Sequence, residues 1–171
     1  PRQIDHHATF TLSSTAGTYV YAAGGVIANR FDQGTDCHDE VTRALVNEDG
    51  SLGPWAEATP LPAPVGFPAH TQKDGQVYLI GGITYDGSRF SASAATYIGQ
   101  LVQGRLAWRR GPNVPSVFRH PTAEVVRDRL YLIGGLGSRD PHDVVLVSQL
   151  GPDGQPGAWN LGPPLPEPRT H

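Results

Sequence analysis

The apolar positions of this chain fall in short, bounded runs. The most regular is VYLIGG, from Val77 to Gly82, which returns as LYLIGG from Leu130 to Gly135 and, more weakly, as VYAAGG from Val20 to Gly25. Each run is β-branched and aromatic and ends on paired glycines, which predicts a buried strand halted by a turn that needs positive φ. No apolar set recurs at helical spacing without a glycine or proline interrupting it, so the pattern predicts strands and no helix of useful length.

A second landmark sets the period. Trp55, Trp108 and Trp159 stand 53 and 51 residues apart, and an apolar residue and a proline follow each at six and seven positions: Leu61-Pro62, Val114-Pro115 and Leu165-Pro166. Each unit resolves into four short strands. In the first they are His7 to Leu12, Thr18 to Ala23, Val41 to Val46 and a strand starting at Trp55, with a long loop from Val26 to Glu40. The second gives Ala69 to Gln72, Gln76 to Ile80, Ala94 to Val102 and Ala107 to Arg110; the third gives Thr122 to Val126, Arg129 to Ile133, Val144 to Leu150 and a strand from Trp159. Variable loops, Ile83 to Ser93 and Leu136 to Asp143 in the later units, separate each glycine pair from the third strand. Self-similarity at about fifty residues is the mark of a repeat architecture.

Composition adjusts this picture in few places. The 21 glycines and 16 prolines recur in phase with the apolar runs and are read as turn chemistry. With 17% charged residues and a formal net charge of -3, the chain gives no electrostatic case for nucleic acid, and no basic stripe is present. No segment approaches the roughly 18 to 20 apolar residues that would span a bilayer. The single cysteine, Cys37, rules out an internal disulfide framework.

Four-stranded antiparallel units at this period match propeller blades in length and punctuation. The glycine pairs, the tyrosines Tyr21, Tyr78 and Tyr131, the three tryptophans and the Leu-Pro or Val-Pro after each resemble kelch repeats. The resemblance implies an all-β propeller with one blade over residues 1–62, a second over 63–115, and a third over 116–171 that runs into the start of a further blade. Closed propellers have about 4 to 8 blades, so three imply either further blades of a longer ring or a second copy completing six. The kelch family includes enzymes, protein-binding adaptors and sugar-binding proteins, so the resemblance specifies fold better than function.

Three groups of residues are candidates for chemistry. The loops after the glycine pairs carry Asn29, Arg30, Phe31 and Asp32 in the first unit, Tyr85, Arg89 and Phe90 in the second, and Arg139 and His142 in the third. Aromatic and arginine side chains suit a protein or glycan ligand. The blade openings carry Arg2, His70, Arg119, His120 and Arg169, with His6, His7 and His171 beside them; in a propeller these approach the central channel. Finally, TDCHDE at Thr35 to Glu40 gathers metal-ligand types, yet its His38-Asp39 pair recurs as His142-Asp143 in the same frame. A recurring pair is better explained by architecture, the aspartate capping the turn into the third strand, so no metal and no cofactor are expected.

The expected function is recognition of a protein or glycan by loops on one propeller face. The alternative is a sugar-type enzyme in the channel, such as a kelch epimerase, for which Glu124 or a blade-opening histidine would be the acid or base. A copper-radical oxidase is disfavoured because no matching motif surrounds Cys37. Similarity of DGSLGPW to bacterial kelch repeats favours an exported bacterial protein over a cytoplasmic one.

Overall fold

The structure is a computed structural model that describes residues 4–27, 36–137 and 140–170. The first unit contains β1 (Ile4–Asp5), β2 (Ala8–Ser14), β3 (Gly17–Ala23), β4 (Val26–Ile27), β5 (Val41–Leu45) and β6 (Ala56–Glu57). The second contains β7 (Ala69–Lys73), β8 (Gln76–Ile80), β9 (Ile83–Tyr85), β10 (Phe90–Ala92), β11 (Thr96–Val102) and β12 (Arg105–Gly111), and the third β13 (Thr122–Val126), β14 (Arg129–Ile133), β15 (Val145–Leu150) and β16 (Pro156–Leu161). Three antiparallel four-stranded sheets result, in the orders β2-β3-β5-β6, β7-β8-β11-β12 and β13-β14-β15-β16. The all-β expectation and the blade order hold. Among the described residues no helix is long and apolar enough to cross a membrane.

Some boundaries differ from the sequence expectation. The loops after the glycine pairs contain strands of their own: β4 pairs with β1, and β9 pairs with β10 as a hairpin within the second unit's loop. The fourth strand of the first sheet shrinks to Ala56–Glu57, while its equivalents run six and seven residues.

The sheets stack through the alternation of their second strands. On β8, Val77 and Leu79 join Phe10, Leu12, Tyr21 and Ala23 in a core against the first sheet, whereas Tyr78 and Ile80 join Leu130, Leu132 and Leu146 in a core against the third. All four β8 residues are at most 1% exposed. Burying a side chain of this size from water contributes roughly 1.5–3 kcal/mol, so one five-residue strand anchors both interfaces.

Polar bonds repeat with the same period. Trp108 donates its indole N–H to the Thr59 carbonyl of the preceding sheet at 3.1 Å, and Trp159 does the same to the Pro112 carbonyl at 3.5 Å. Each acceptor lies four residues beyond the preceding tryptophan. The Trp108 ring lies across from Gly99, where a Cβ would come within 2.5 Å of it, and Trp159 lies across from Ser148. Small residues opposite the tryptophans therefore leave room for the ring.

The glycine pairs meet two demands at once. Gly24 and Gly25, Gly81 and Gly82, and Gly134 and Gly135 all have positive φ. In addition, the second glycine of each pair donates its N–H to the opening of the next blade, at the Val65, Phe118 and Arg169 carbonyls. A Cβ at Gly82 would sit 2.4 Å from the Gly66 carbonyl oxygen, so the approach excludes any side chain.

The expected capping role of the aspartates is corrected. The backbone carbonyls of Asp39 and Asp143 accept from the N–H groups of Leu61 and Leu165, and the Ala94 carbonyl does the same for Val114. The second blade thus makes the bond without a carboxylate, and the contribution at this position comes from the main chain.

Tyr78 and Tyr21 occupy equivalent places with different outcomes. The Tyr78 hydroxyl reaches the Gly154 carbonyl of the third sheet at 2.9 Å and Gln76 Oε1 at 3.0 Å. The Tyr21 hydroxyl is buried without a partner among the described residues. The turn facing Tyr78 is long, from Gly151 to Gln155, whereas the turn after β11 uses only Gln103 and Gly104, both at positive φ. Tyr78→Phe is expected to cost about 1 kcal/mol in urea unfolding and Tyr21→Phe to be neutral or stabilising, because only the first hydroxyl has a bond to lose. Equal losses for both would contradict the assignment.

Candidate functional site

Three blade-opening residues converge at one end of the sheets. His6, Phe67 and His120 share a left-handed backbone, with φ of 52°, 53° and 52°. None is glycine, so the surrounding structure imposes this conformation. Their rings pack together: the Phe67 centroid lies 3.9 Å from His6 and 4.0 Å from His120, and the two imidazoles are 5.9 Å apart. His6 Nδ1 lies 2.8 Å from Asp5 Oδ1, close enough for an ionic contact but without hydrogen-bond alignment. The sequence groups the blade-opening histidines without Phe67, whose equivalence to His6 and His120 emerges from the backbone angle.

His70 is set apart from this trio, on β7 opposite Leu79 and therefore on the side facing the first sheet. Its imidazole is held below the usual histidine value, first by desolvation and then by the charge of His7, against an opposing hydrogen bond with the Pro68 backbone. The residue still presents surface to water, so packing around part of the ring is enough to produce the effect. Arg119 directs Nη2 to the Gly137 carbonyl at 2.9 Å, tying the blade opening to the loop of its own blade. Arg169 reaches Glu167 at 3.5 Å, and its side chain is exposed. The structure thus brings His120 together with His6 and Phe67, while His70, Arg119 and Arg169 make separate local contacts. Arg2 lies outside the described residues.

The loop candidates divide similarly. Asn29, Arg30, Phe31, Asp32 and Arg139 lie outside the described residues. Tyr85 and Phe90 are cross-strand partners in the β9–β10 hairpin, with rings 4.9 Å apart. Asp86 shapes the hairpin turn: Oδ1 accepts from the Ser88 hydroxyl at 2.7 Å and from the Ser88 and Arg89 N–H groups at 2.9 Å. These bonds, the Ser88 hydroxyl first, draw its carboxyl down to about 2. Arg89 lies 3.6 Å from Asp86 Oδ2. His142 packs in the third blade, its ring beside Phe118 at 5.9 Å and against Gly137, where a Cβ would come within 2.2 Å of Nε2.

Between the hairpin and the third blade lies a shallow cleft of about 300 Å³, walled by Phe90, Ala92, Val117, Arg119 and Gly137. Phe90 is 38% exposed and Val117 49%. Beneath the hairpin, Val26, Cys37 and Ile83 form a small core on which Phe67 and Tyr85 pack. This core links the hairpin to the His6–Phe67–His120 cluster. Burial pushes the Cys37 thiol up from 9.0 to about 11, opposed by a bond with the Gly66 backbone and reinforced by Asp36. Among the described residues no group of three or more His, Cys, Asp or Glu is gathered to hold a metal ion.

No protein-family model matches the chain. A curated relative, Kelch repeat and BTB domain-containing protein 12 of Danio rerio, is 28% identical over 176 residues, covering 96% of this chain and 26% of the relative. The solved structure of YjhT superposes with a TM-score of 0.74 at 16% identity, covering 99% of this chain and 58% of that one. The chain has the fold of a run of kelch-type propeller blades. It spans about a quarter of the curated relative's length and somewhat more than half of YjhT's. The bonds of the glycine pairs hold the pairs, the blade openings and the start of the β9–β10 hairpin at one end of the blades.

Two solution properties follow. Because the His70 value is lowered on folding, the unfolded chain binds more protons below pH 6.5. Stability is therefore expected to be full above pH 6.5 and to fall as the pH drops below it toward the folded value. His70→Gln should flatten that part of the urea-midpoint profile, and an unchanged slope would remove His70 as its source. For Cys37, the difference between 9.0 and about 11 lowers the thiolate fraction about a hundredfold near neutral pH. Iodoacetamide labelling is expected to be at least that much slower in the folded chain than in urea.

Proposed function

We propose that this kelch-blade chain is a recognition module whose ligand, a protein or glycan, binds at the loop end of the blades. The supporting observation is the cleft between the β9–β10 hairpin and the opening of the third blade, where Phe90 and Val117 are exposed on a fixed backbone beside Arg119. Three features suit binding. The Asp86 turn orders the hairpin before any ligand arrives, so little loop entropy remains to be lost. The aromatic anchor sits beside a guanidinium, a pairing enriched at binding hot spots. The cleft is shallow, as suits the surface of a large ligand more than enclosure of a small one.

The second reading, a small-molecule enzyme at the channel, is favoured by the His6–Phe67–His120 cluster. Two imidazoles 5.9 Å apart are groups of the general acid and base type that such a site would use. Such a site also needs a closed ring around the axis.

The two readings separate in a selection of displayed peptides and a glycan array against the chain. Recognition at the cleft predicts ligands whose affinity falls tenfold or more in Phe90→Ala, with Val117→Ala additive in direction and His120→Gln without effect. Ligands insensitive to Phe90 and lost in His120→Gln would transfer the function to the channel mouth.

A further inference from the structure

The middle sheet has a neighbour on each face, and its outer rim lies away from both. Three strands form the outer edges of the sheets: β6, β12 and β16. Such an edge offers unpaired N–H and C=O groups to any extended chain, and proteins usually blunt it. β6 is two residues long and lies between Pro54 and Pro60, while β16 begins on Pro156 and its register with β15 shifts between Ser148 and Leu150. β12 has neither device. Its seven residues pair in unbroken register from Thr96↔Gly111 to Val102↔Arg105, and the Gln155 amide reaches it at the Arg110 carbonyl over 3.5 Å.

What β12 carries instead is positive charge. Arg105, Arg109 and Arg110 stand on it, β11 beside it has no charged residue, and Arg43 of the first blade lines with Arg105 a notch of about 210 Å³ between the first two sheets. The blade frame does not require these cations. The places of Arg109 and Arg110, one and two past the tryptophan, hold Ala56 and Glu57 in the first blade and Asn160 and Leu161 in the third. The place of Arg43, opposite the blade tyrosine, holds Ile98 and Val147 in the others. Neutral groups position three of the guanidinium groups: Arg109 Nη2 donates to the Asp153 carbonyl at 3.0 Å, Arg110 lies 5.6 Å from the centre of the Tyr97 ring, and Arg43 lies 4.5 Å from that of Tyr19. None of the four arginines is within ion-pair distance of a carboxylate among the described residues, and Glu57 borders the notch without reaching Arg43 or Arg105. A chain of net charge -3 thus gathers four unneutralised cations around one edge, a local excess that its overall charge conceals. Charge on an edge keeps like edges apart and admits a strand of opposite charge.

We propose that the outer edge of the middle blade binds an extended acidic segment of a partner protein, which adds to β12 as a further strand. Its carboxylates face Arg105, Arg109 and Arg110, and Arg43 takes one that enters the notch. The ladder groups of β12 select an extended backbone, and cross-strand pairing of opposite charges selects acidic side chains. A polyanion without a peptide backbone would meet the arginines and leave the ladder groups unused. This surface shares no residue with the Phe90 cleft and is a binding site beyond the loop end.

Fluorescence anisotropy with labelled peptides of about nine residues, long enough to span β12, tests the proposal. The probes are an alternating Glu-Thr peptide, the same peptide with Lys for Glu, the Glu-Thr peptide with a central proline, and an oligonucleotide of equal negative charge. The Glu-Thr peptide is expected to bind at low salt, to weaken as salt rises, and to slow amide hydrogen exchange along β12. The lysine and proline peptides should bind about tenfold more weakly or not at all, because one has the wrong charge and the other lacks a ladder N–H. Arg105→Gln combined with Arg110→Gln, both at exposed positions, should also cost about tenfold, the sum of two exposed charge pairs, with the urea transition retained. Equal binding of the proline peptide, tighter binding of the oligonucleotide, no binding of the Glu-Thr peptide, or binding kept in the arginine variant and lost in Phe90→Ala would overturn the proposal.

Discussion

Every blade in this molecule has a second strand that is apolar on both faces, and such a strand is stable only between two neighbours. Val77, Tyr78, Leu79 and Ile80 show the condition fulfilled: alternate side chains enter different cores, and the four together join three sheets. A single blade would leave half of that surface in water, which a sheet of four short strands has little else to offset. Stacking is therefore the condition under which each blade folds, and the tryptophan and tyrosine bonds set the alignment of one blade on the next.

The same constraint builds the loop end. Each strand must stop where the next blade's opening segment crosses it, and the glycine pairs permit the crossing by presenting N–H groups without side chains. The opening segment is then pinned, and the residue two positions further on is turned into the left-handed region, which carries His6, Phe67 and His120 into one cluster. The chain leaving each glycine pair is free to vary because its ends are already held. In the second blade that freedom is used for the ordered β9–β10 hairpin and its exposed Phe90.

Differences between blades arise where a local turn changes while the frame does not. The short Gln103-Gly104 turn leaves the Tyr21 hydroxyl without an acceptor among the described residues, and the longer turn of the third blade supplies one for Tyr78. The His-Asp pairs have a similar character. Their backbone bonds are shared with Ser93 and Ala94, whose N–H and carbonyl do the same work, so the side chains there are spared for other contacts, as the packing of His142 on Gly137 shows.

The amino-acid sequence alone determined the strand content, the period and the need for positive φ at the glycine pairs, because each is a local property repeated three times. Only the tertiary structure decided which residues meet. Phe67 joins two histidines 61 and 53 positions away because rotation about the propeller axis superposes blade openings, a relation that spacing along the chain does not express. The cleft at Phe90 depends likewise on the side-by-side placement of two blades, and the hairpin that forms it looks like loop in the sequence because three-residue strands with a polar turn carry too little apolar pattern to register.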